Sequence, residues 1–279
     1  MREVNVEQIR DVVAQLCIKA CVEVPCDIRS CMENALEKES GIAREILQDM
    51  LKNQDIAKTD RLPICQDTGM VMVFLDVGQD MRIVGGDVED AINAGVRKGY
   101  EEGYLRKSVV GDPIRRTNTG DNTPAIIHYQ IVPGDRLHIT VSPKGFGSEN
   151  MSRLKMFVPG VGIDGVRDFV METVKLADSN ACPPIIVGVG VGGSFDKSAL
   201  MAKRALLRPL GQPHPDPYWA GIEAELLERI NATGIGPSGL GGKTTAMAVH
   251  INTFATHIAG LPVAVNIGCH VNRHEEAVL

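Results

Sequence analysis

Residues 184–207 of this 279-residue chain read as a strand, a glycine-rich turn and a helix in direct succession. Pro184–Val191 is β-branched and bounded by Pro and Gly, Gly192 and Gly193 supply the turn, and Phe195–Leu207 has helical apolar spacing. A unit of this kind needs a sheet with helices laid on it, which points to an α/β, mixed α+β fold. Elsewhere the pattern is similar. Between Val6 and Met50 the apolar residues Ile9, Val12, Val13, Leu16, Ala20, Ala35, Ile42, Ile46 and Leu47 recur at three- and four-residue steps. That spacing predicts two or three helices, broken at Val24-Pro25-Cys26-Asp27 with Asp27 as an N-cap.

Further on, the loop Leu62–Gly69 leads into a strand at Val71–Val77, and Val84–Gly103 reads as a helix starting near Gly86-Asp87. Ala125–Val132 and Leu137–Val141 flank Pro133-Gly134-Asp135-Arg136 as a hairpin. Val161–Ala177 and Ala220–Ile230 are helical, and Ala246–Ile251 and Pro262–Ile267 are closing strands. There is no internal repeat and no low-complexity linker. The expectation is one continuous domain over residues 1–279, with mixed sheets surrounded by helices and the helical segment of about residues 1–60 integral to it.

Composition narrows the function classes. No run approaches ~18 apolar residues, and the charged, amphipathic N-terminus does not resemble a signal peptide, so a cytoplasmic protein with no membrane partner is expected. With 29 basic and 35 acidic residues the net charge is -6, which gives no reason to expect nucleic acid as a partner but leaves small anions open as substrates. Seven cysteines in such a chain are packing residues, metal ligands or nucleophiles rather than a disulfide framework. Cys17, Cys21, Cys26 and Cys31 lack a CxxC or a nearby His, and Cys17 and Cys21 share a helix face with Ile9 and Val13, so this set reads as packing.

Two glycine-rich segments imitate nucleotide sites. Gly188–Gly193 matches GxGxxG between a strand and a helix, but Gly211-Gln212-Pro213-His214-Pro215-Asp216-Pro217 cannot form the second parallel strand that would end in a ribose-binding acid. Gly241-Gly242-Lys243-Thr244 resembles the end of a P-loop, yet Pro237 stands where the first Gly belongs. A nucleotide-binding oxidoreductase or NTPase is therefore the weaker alternative. Cys65, Cys182 and Cys269 differ from the other cysteines, since each lies in a turn-rich, polar context: PICQDTG, ACPP and IGCH. They are too far apart for a local zinc knuckle. From the residues alone, a metal site assembled by the fold and incidental thiols both stay open.

Through these segments, and through LRKS, NTGDNTPA, PKGFGSEN and GLGGKT in the same order, the sequence resembles class I fumarases and L-tartrate dehydratase α subunits, the iron–sulfur-dependent hydro-lyases. The resemblance covers nearly the whole chain. It implies that Cys65, Cys182 and Cys269 bind a [4Fe–4S] cluster, with one iron left without a protein ligand to act as a Lewis acid on a substrate hydroxyl. It places Gln66, Arg106 and Gly147 at substrate-binding positions for a dicarboxylate, with Lys243 as a further candidate. Asp67 is expected to meet the substrate hydroxyl or to orient Arg106, and His257 to move protons. Single-chain relatives continue into a second domain after the last cysteine. The resemblance therefore implies an α subunit that needs a β subunit, in an αβ or α2β2 assembly, with the proton-abstracting residue on the β subunit. Reversible hydration of fumarate to L-malate is the expected reaction, and dehydration of L-tartrate to oxaloacetate is the alternative.

Overall fold

The N-terminal periodicity is realised as three helices in the computed structural model, which describes residues 2–279. In chain order the elements are β1 (Arg2–Asn5), α1 (Val6–Val22), α2 (Cys26–Lys38), α3 (Gly41–Asp60), β2 (Met70–Gly78), β3 (Met81–Val84) and α4 (Val88–Glu102). There follow β4 (Ile126–Val132), β5 (Leu137–Lys144), α5 (Phe146–Glu149), β6 (Arg153–Phe157), α6 (Gly162–Ala177) and β7 (Ile185–Gly192). The chain closes with α7 (Phe195–Ala205), α8 (Pro217–Asn231), β8 (Ala246–Phe254), β9 (Leu261–Gly268) and β10 (Glu275–Val278). The fold is mixed α/β, as the sequence reads. Asp87 caps α4 by accepting from the amides of Glu89 and Asp90. Helix α2 begins at Cys26, so Asp27 lies inside its first turn instead of capping it, and its carboxylate accepts the Leu210 amide at 2.7 Å.

Contacts gather the chain into two compact units of interleaved segments. One comprises the residues up to Pro25, Asn53–Phe146 and Arg273–Leu279, the other Cys26–Lys52 and Gly147–Asn272. Because the segments interleave, no stretch of chain serves as a linker, which is why the sequence reads as continuous.

The first unit holds a four-stranded sheet in the order β10-β5-β2-β4, and β1 pairs with β3 in a separate parallel ribbon. The expected hairpin does not form. Strand β2 lies between β4, to which it is parallel, and β5, to which it is antiparallel. Its core, Val71 to Leu75, is buried on both faces and fills the central place, whereas β4 carries His128, Tyr129 and Gln130 and sits at the edge. The loop predicted as the hairpin turn instead receives the end of β2: the amides of Gly78, Gln79 and Asp80 donate to the carbonyls of Arg136, Val132 and Gly134. Helices α1 and α4 pack closely in the core with Val73 and Ile139. A Cβ at Gly95 would lie 2.5 Å from the Arg10 carbonyl, and one at Gly99 2.7 Å from that of Ala14, so only glycine permits this crossing. Cys17 and Cys21 are buried here, as their spacing predicts; Cys26, by contrast, is exposed at the start of α2.

The second unit is built on the sheet β6-β9-β7-β8, with β7 parallel to β8 and antiparallel to β9. Alternate residues of β7 face opposite layers. Ile185, Val187, Val189 and Val191 join the core lined by α6 and α8, while Ile186 joins α2 and α3. Gly188 and Gly190 lie against α7, where a Cβ at Gly190 would be 2.0 Å from the Ser198 carbonyl. Among the described residues no helix is long and apolar enough to cross a membrane.

His250 on β8 is 3% exposed, and burial, aided by the Arg208 charge, lowers its pKa to about 4. Its neutral ring bonds to the Ala205 carbonyl at 3.1 Å. The unfolded chain takes up a proton near pH 6.5 while the folded chain resists to about pH 4. This contribution is therefore complete above pH 6.5 and is lost as the pH falls toward 4, at most ~3 kcal/mol. His250→Asn should lower the urea midpoint at pH 7.5, and between pH 7.5 and 5 its deficit relative to wild type should shrink by about 2 kcal/mol. A deficit that does not change with pH would remove the assignment.

Candidate active site

In the first unit the loop between α3 and β2 presents Cys65, Gln66 and Asp67, and its main chain is bonded along its length. The Ile64 amide donates to the Cys21 carbonyl at 2.9 Å. The hydroxyl of the buried Tyr100, on α4, is shared between the carbonyls of Thr68 at 2.6 Å and Gly69 at 3.1 Å. The Cys21 thiol and the Asn122 amide add donors to the same two carbonyls. Burial pushes the Cys21 thiol up to about 11, so it stays a protonated donor. The Asp67 amide donates to Cys65 Sγ at 3.4 Å. The thiol that the resemblance singles out thus sits on a rigid loop with an N–H aimed at its sulfur.

The Asp67 carboxylate accepts the Gly69 amide at 3.0 Å on one oxygen and the Phe146 amide at 2.8 Å on the other. It makes no bond to Arg106, contrary to one of the two roles expected for it. The guanidinium that reaches Asp67 is that of Arg273, which donates to its backbone carbonyl. Arg106 is exposed and held through its own carbonyl, which accepts the Thr68 hydroxyl at 2.8 Å. Gln66 is also exposed.

In the second unit Cys182 and Cys269 come together at one end of the sheet. Cys182 lies three residues before β7 and Cys269 directly follows β9, whose Gly268 pairs with Ile186. The His270 amide and its Nδ1 both bond to the Cys182 carbonyl, at 3.2 and 3.1 Å. Cys182 is exposed and left-handed, with φ 53° and ψ 66°, a conformation that costs a residue bearing a Cβ of order 1 kcal/mol or more. Gly147 stands beside this loop, a Cβ there lying 3.6 Å from the Asn180 carbonyl. The loop bearing Lys243 also meets it, since the Ser238 amide donates to the Pro183 carbonyl at 2.9 Å.

His257 is placed elsewhere. It follows β8, whose Phe254 pairs with Gly192 at the far end of β7. At ~3.3 Å rise per residue, the eight residues of β7 put it over 20 Å from the Cys182–Cys269 end. It is exposed, and its Nδ1 accepts the Ala259 amide at 3.2 Å.

Neither glycine-rich segment is free to cradle a phosphate. Glu39, 5% exposed, accepts the amides of Lys243 and Thr244 at 2.7 and 2.6 Å, and Asp196 engages the first amides of α7. The glycines of β7 serve the close approach of α7. The roles of Glu39, Tyr100, Asn122 and Arg273 are not accessible from the sequence: each acts on main-chain groups far away in sequence, and only Asn122 lies within a motif, NTGDNTPA, which does not reveal its partner.

Among the described residues no three His, Cys, Asp or Glu side chains stand close enough to hold a single metal ion. Ligands of a multi-iron cluster are spread around its body and need not converge on one point. The donor set has the right chemistry for such a group. Cys65, Cys182 and Cys269 are unbridged, partly or fully exposed thiols on ordered turns, and thiolate is the soft donor that iron–sulfur clusters take.

Comparison with known proteins places these features in context. The family described as fumarate hydratase (Fumerase) matches residues 10–278. A putative L(+)-tartrate dehydratase subunit alpha from Methanocaldococcus jannaschii is 42% identical over 277 residues, 95% of each chain. The L(+)-tartrate dehydratase subunit alpha of Escherichia coli strain UTI89 is 34% identical over 273 residues, 96% of this chain and 89% of the relative. The corresponding Shigella sonnei protein is 33% identical over the same shares.

Tyr100→Phe deletes one hydroxyl that serves two buried carbonyls, each of which keeps a weaker donor. We expect a loss of about 1–2 kcal/mol in urea unfolding, with an unchanged m-value. A midpoint equal to wild type would show that the loop does not depend on this clamp.

Proposed function

The chain belongs to the fumarate hydratase (Fumerase) family, and on that premise we propose that it is the α subunit of a hydro-lyase that acts with a separate β subunit to add water reversibly to fumarate, giving L-malate. The family match across residues 10–278 carries this reading, and the α-subunit names of the relatives support the two-subunit form.

We assign Cys65, Cys182 and Cys269 as the ligands of a [4Fe–4S] cluster, which when bound supplies Lewis-acid polarisation of the substrate hydroxyl. The protein's own contribution is grip and orientation. Gln66 and Arg106, exposed beside the braced loop, offer amide and guanidinium donors to a substrate carboxylate, and the Gly147 backbone offers an N–H at the Cys182 turn. Amides fix both oxygens of Asp67, yet each oxygen keeps a second acceptor site, so a substrate hydroxyl can still donate to it. Lys243 ranks below these, because its loop is organised by Glu39. His257 stands a strand's length from Cys182 and Cys269, so a part in proton transfer at their site requires it to come from a second copy of the chain.

A second reading, dehydration of L-tartrate to oxaloacetate, is favoured by the names of the relatives. The two reactions differ by one hydroxyl on the substrate, and one assay separates them. Reconstituted anaerobically with its β subunit, the chain should turn over fumarate at least tenfold faster than L(+)-tartrate; the reverse order would establish the second reading. The chain alone should be nearly inactive, and robust turnover without a partner would refute the subunit assignment. Ser in place of Cys65, Cys182 or Cys269 should reduce bound iron to background and abolish the brown colour, whereas Cys17, Cys26 and Cys31 should tolerate the change. Retained iron in all three ligand variants would sink the cluster assignment.

A further inference from the structure

Arg273 belongs to none of the motifs above, yet it is 4% exposed. A guanidinium keeps its proton inside a protein, so burial to this degree requires hydrogen-bond acceptors. Two of them are main-chain carbonyls from separate segments of the first unit. Nε donates to Pro143 at 3.2 Å, near the end of β5, and Nη2 donates to Asp67. The residue is itself anchored, since its carbonyl accepts the Ser142 hydroxyl at 3.2 Å and the strand that follows it, β10, pairs with β5. The space around this contact is tight: a Cβ at Gly145 would lie 3.1 Å from Asp67 Oδ2 and 3.7 Å from Arg273 Nη2.

We propose that Arg273 is a positioning residue for the loop that carries Cys65, Gln66 and Asp67, tying the peptide after Asp67 to the end of β5. With that peptide fixed, the Asp67 N–H stays on Cys65 Sγ and the Asp67 carboxylate stays on the amides of Gly69 and Phe146. A planar fork with donors in fixed directions suits two carbonyls from different segments. The single ammonium of Lys is a point donor and cannot reproduce both bonds in fixed geometry. Arg273 also adds a positive charge close enough to the buried Cys21 thiol to oppose the rise that burial imposes on it. The inference rests on the assignment of Cys65 as a cluster ligand only where it concerns iron; the bracing of the loop stands apart from it.

The test compares wild type, Arg273→Lys and Arg273→Gln, each reconstituted anaerobically with the β subunit and checked for folding by circular dichroism. Partners that orient a metal ligand typically change metal retention ten- to a hundredfold when lost. Iron release to a ferrous chelator should therefore be roughly tenfold faster in Arg273→Gln, with Arg273→Lys intermediate and the electron paramagnetic resonance line shape of the dithionite-reduced cluster altered in both. In cluster-free protein, hydrogen exchange at the Asp67 and Gly69 amides should accelerate in both variants while α1 and α4 stay protected. Folded variants with wild-type iron release and wild-type exchange would overturn the proposal. If Arg273→Gln does not fold, Arg273→Lys carries the comparison. If wild type takes up no iron, the cluster assignment fails while the exchange data still decide whether Arg273 braces the loop.

Discussion

Strand β7 is the constraint around which the second unit is organised. All eight of its residues are buried, it is hydrogen-bonded on both edges, and its two faces meet different helical layers. Aliphatic side chains on one face fill the core beneath α6 and α8, while glycines on the other let α7 settle against the backbone. That register also fixes where three of the proposed site residues lie. Cys182 leads into the strand, Cys269 leaves the neighbouring strand at the same end, and His257 is carried to the opposite end. A strand is a rigid spacer, so both the pairing of the two cysteines and the separation of the histidine follow from one hydrogen-bond ladder.

The first unit brings its contribution through main-chain accounting. Carbonyls of the Cys65 loop that face inward would each cost free energy if buried without a donor. They are met by Tyr100, Asn122, Cys21 and Arg273, drawn from two helices, the loop before β4 and the C-terminal segment. The loop is consequently positioned by the fold rather than by its own sequence, with its Gln66 side chain and that of Arg106, from the segment after α4, exposed.

How much of this was legible in the sequence depended on whether the feature was local. Helix α4 announces itself by its period and its Asp87 cap, α6 by its period, and β7 by its β-branched run between Pro and Gly. The misread hairpin is a failure of another kind. Both strands exist, but which strand pairs with which is decided by burial of β2, a property of the whole sheet. Strands β1, β3, β6 and β10 have only four or five residues each, too few for alternation to register, and take their form from their partners. Among the proposed site residues, Cys65, Cys182 and Cys269 stood out because each lies beside Pro, Gly and polar residues and none on an apolar helix face. Glu39, Tyr100, Asn122 and Arg273 did not, since a side chain that binds distant carbonyls or amides leaves no spacing to read.

The Lys243–Thr244 amides show what a phosphate-like loop becomes when the anion is built into the chain. Glu39 is tethered a fixed distance away, so its carboxylate competes for those amides as an intramolecular ligand with an effective concentration on the order of millimolar or above. A diffusing nucleotide would have to displace it and leave a buried charge stranded. The loop is thereby closed to an abundant class of cellular anions, because a carboxylate of the chain itself already saturates its amides.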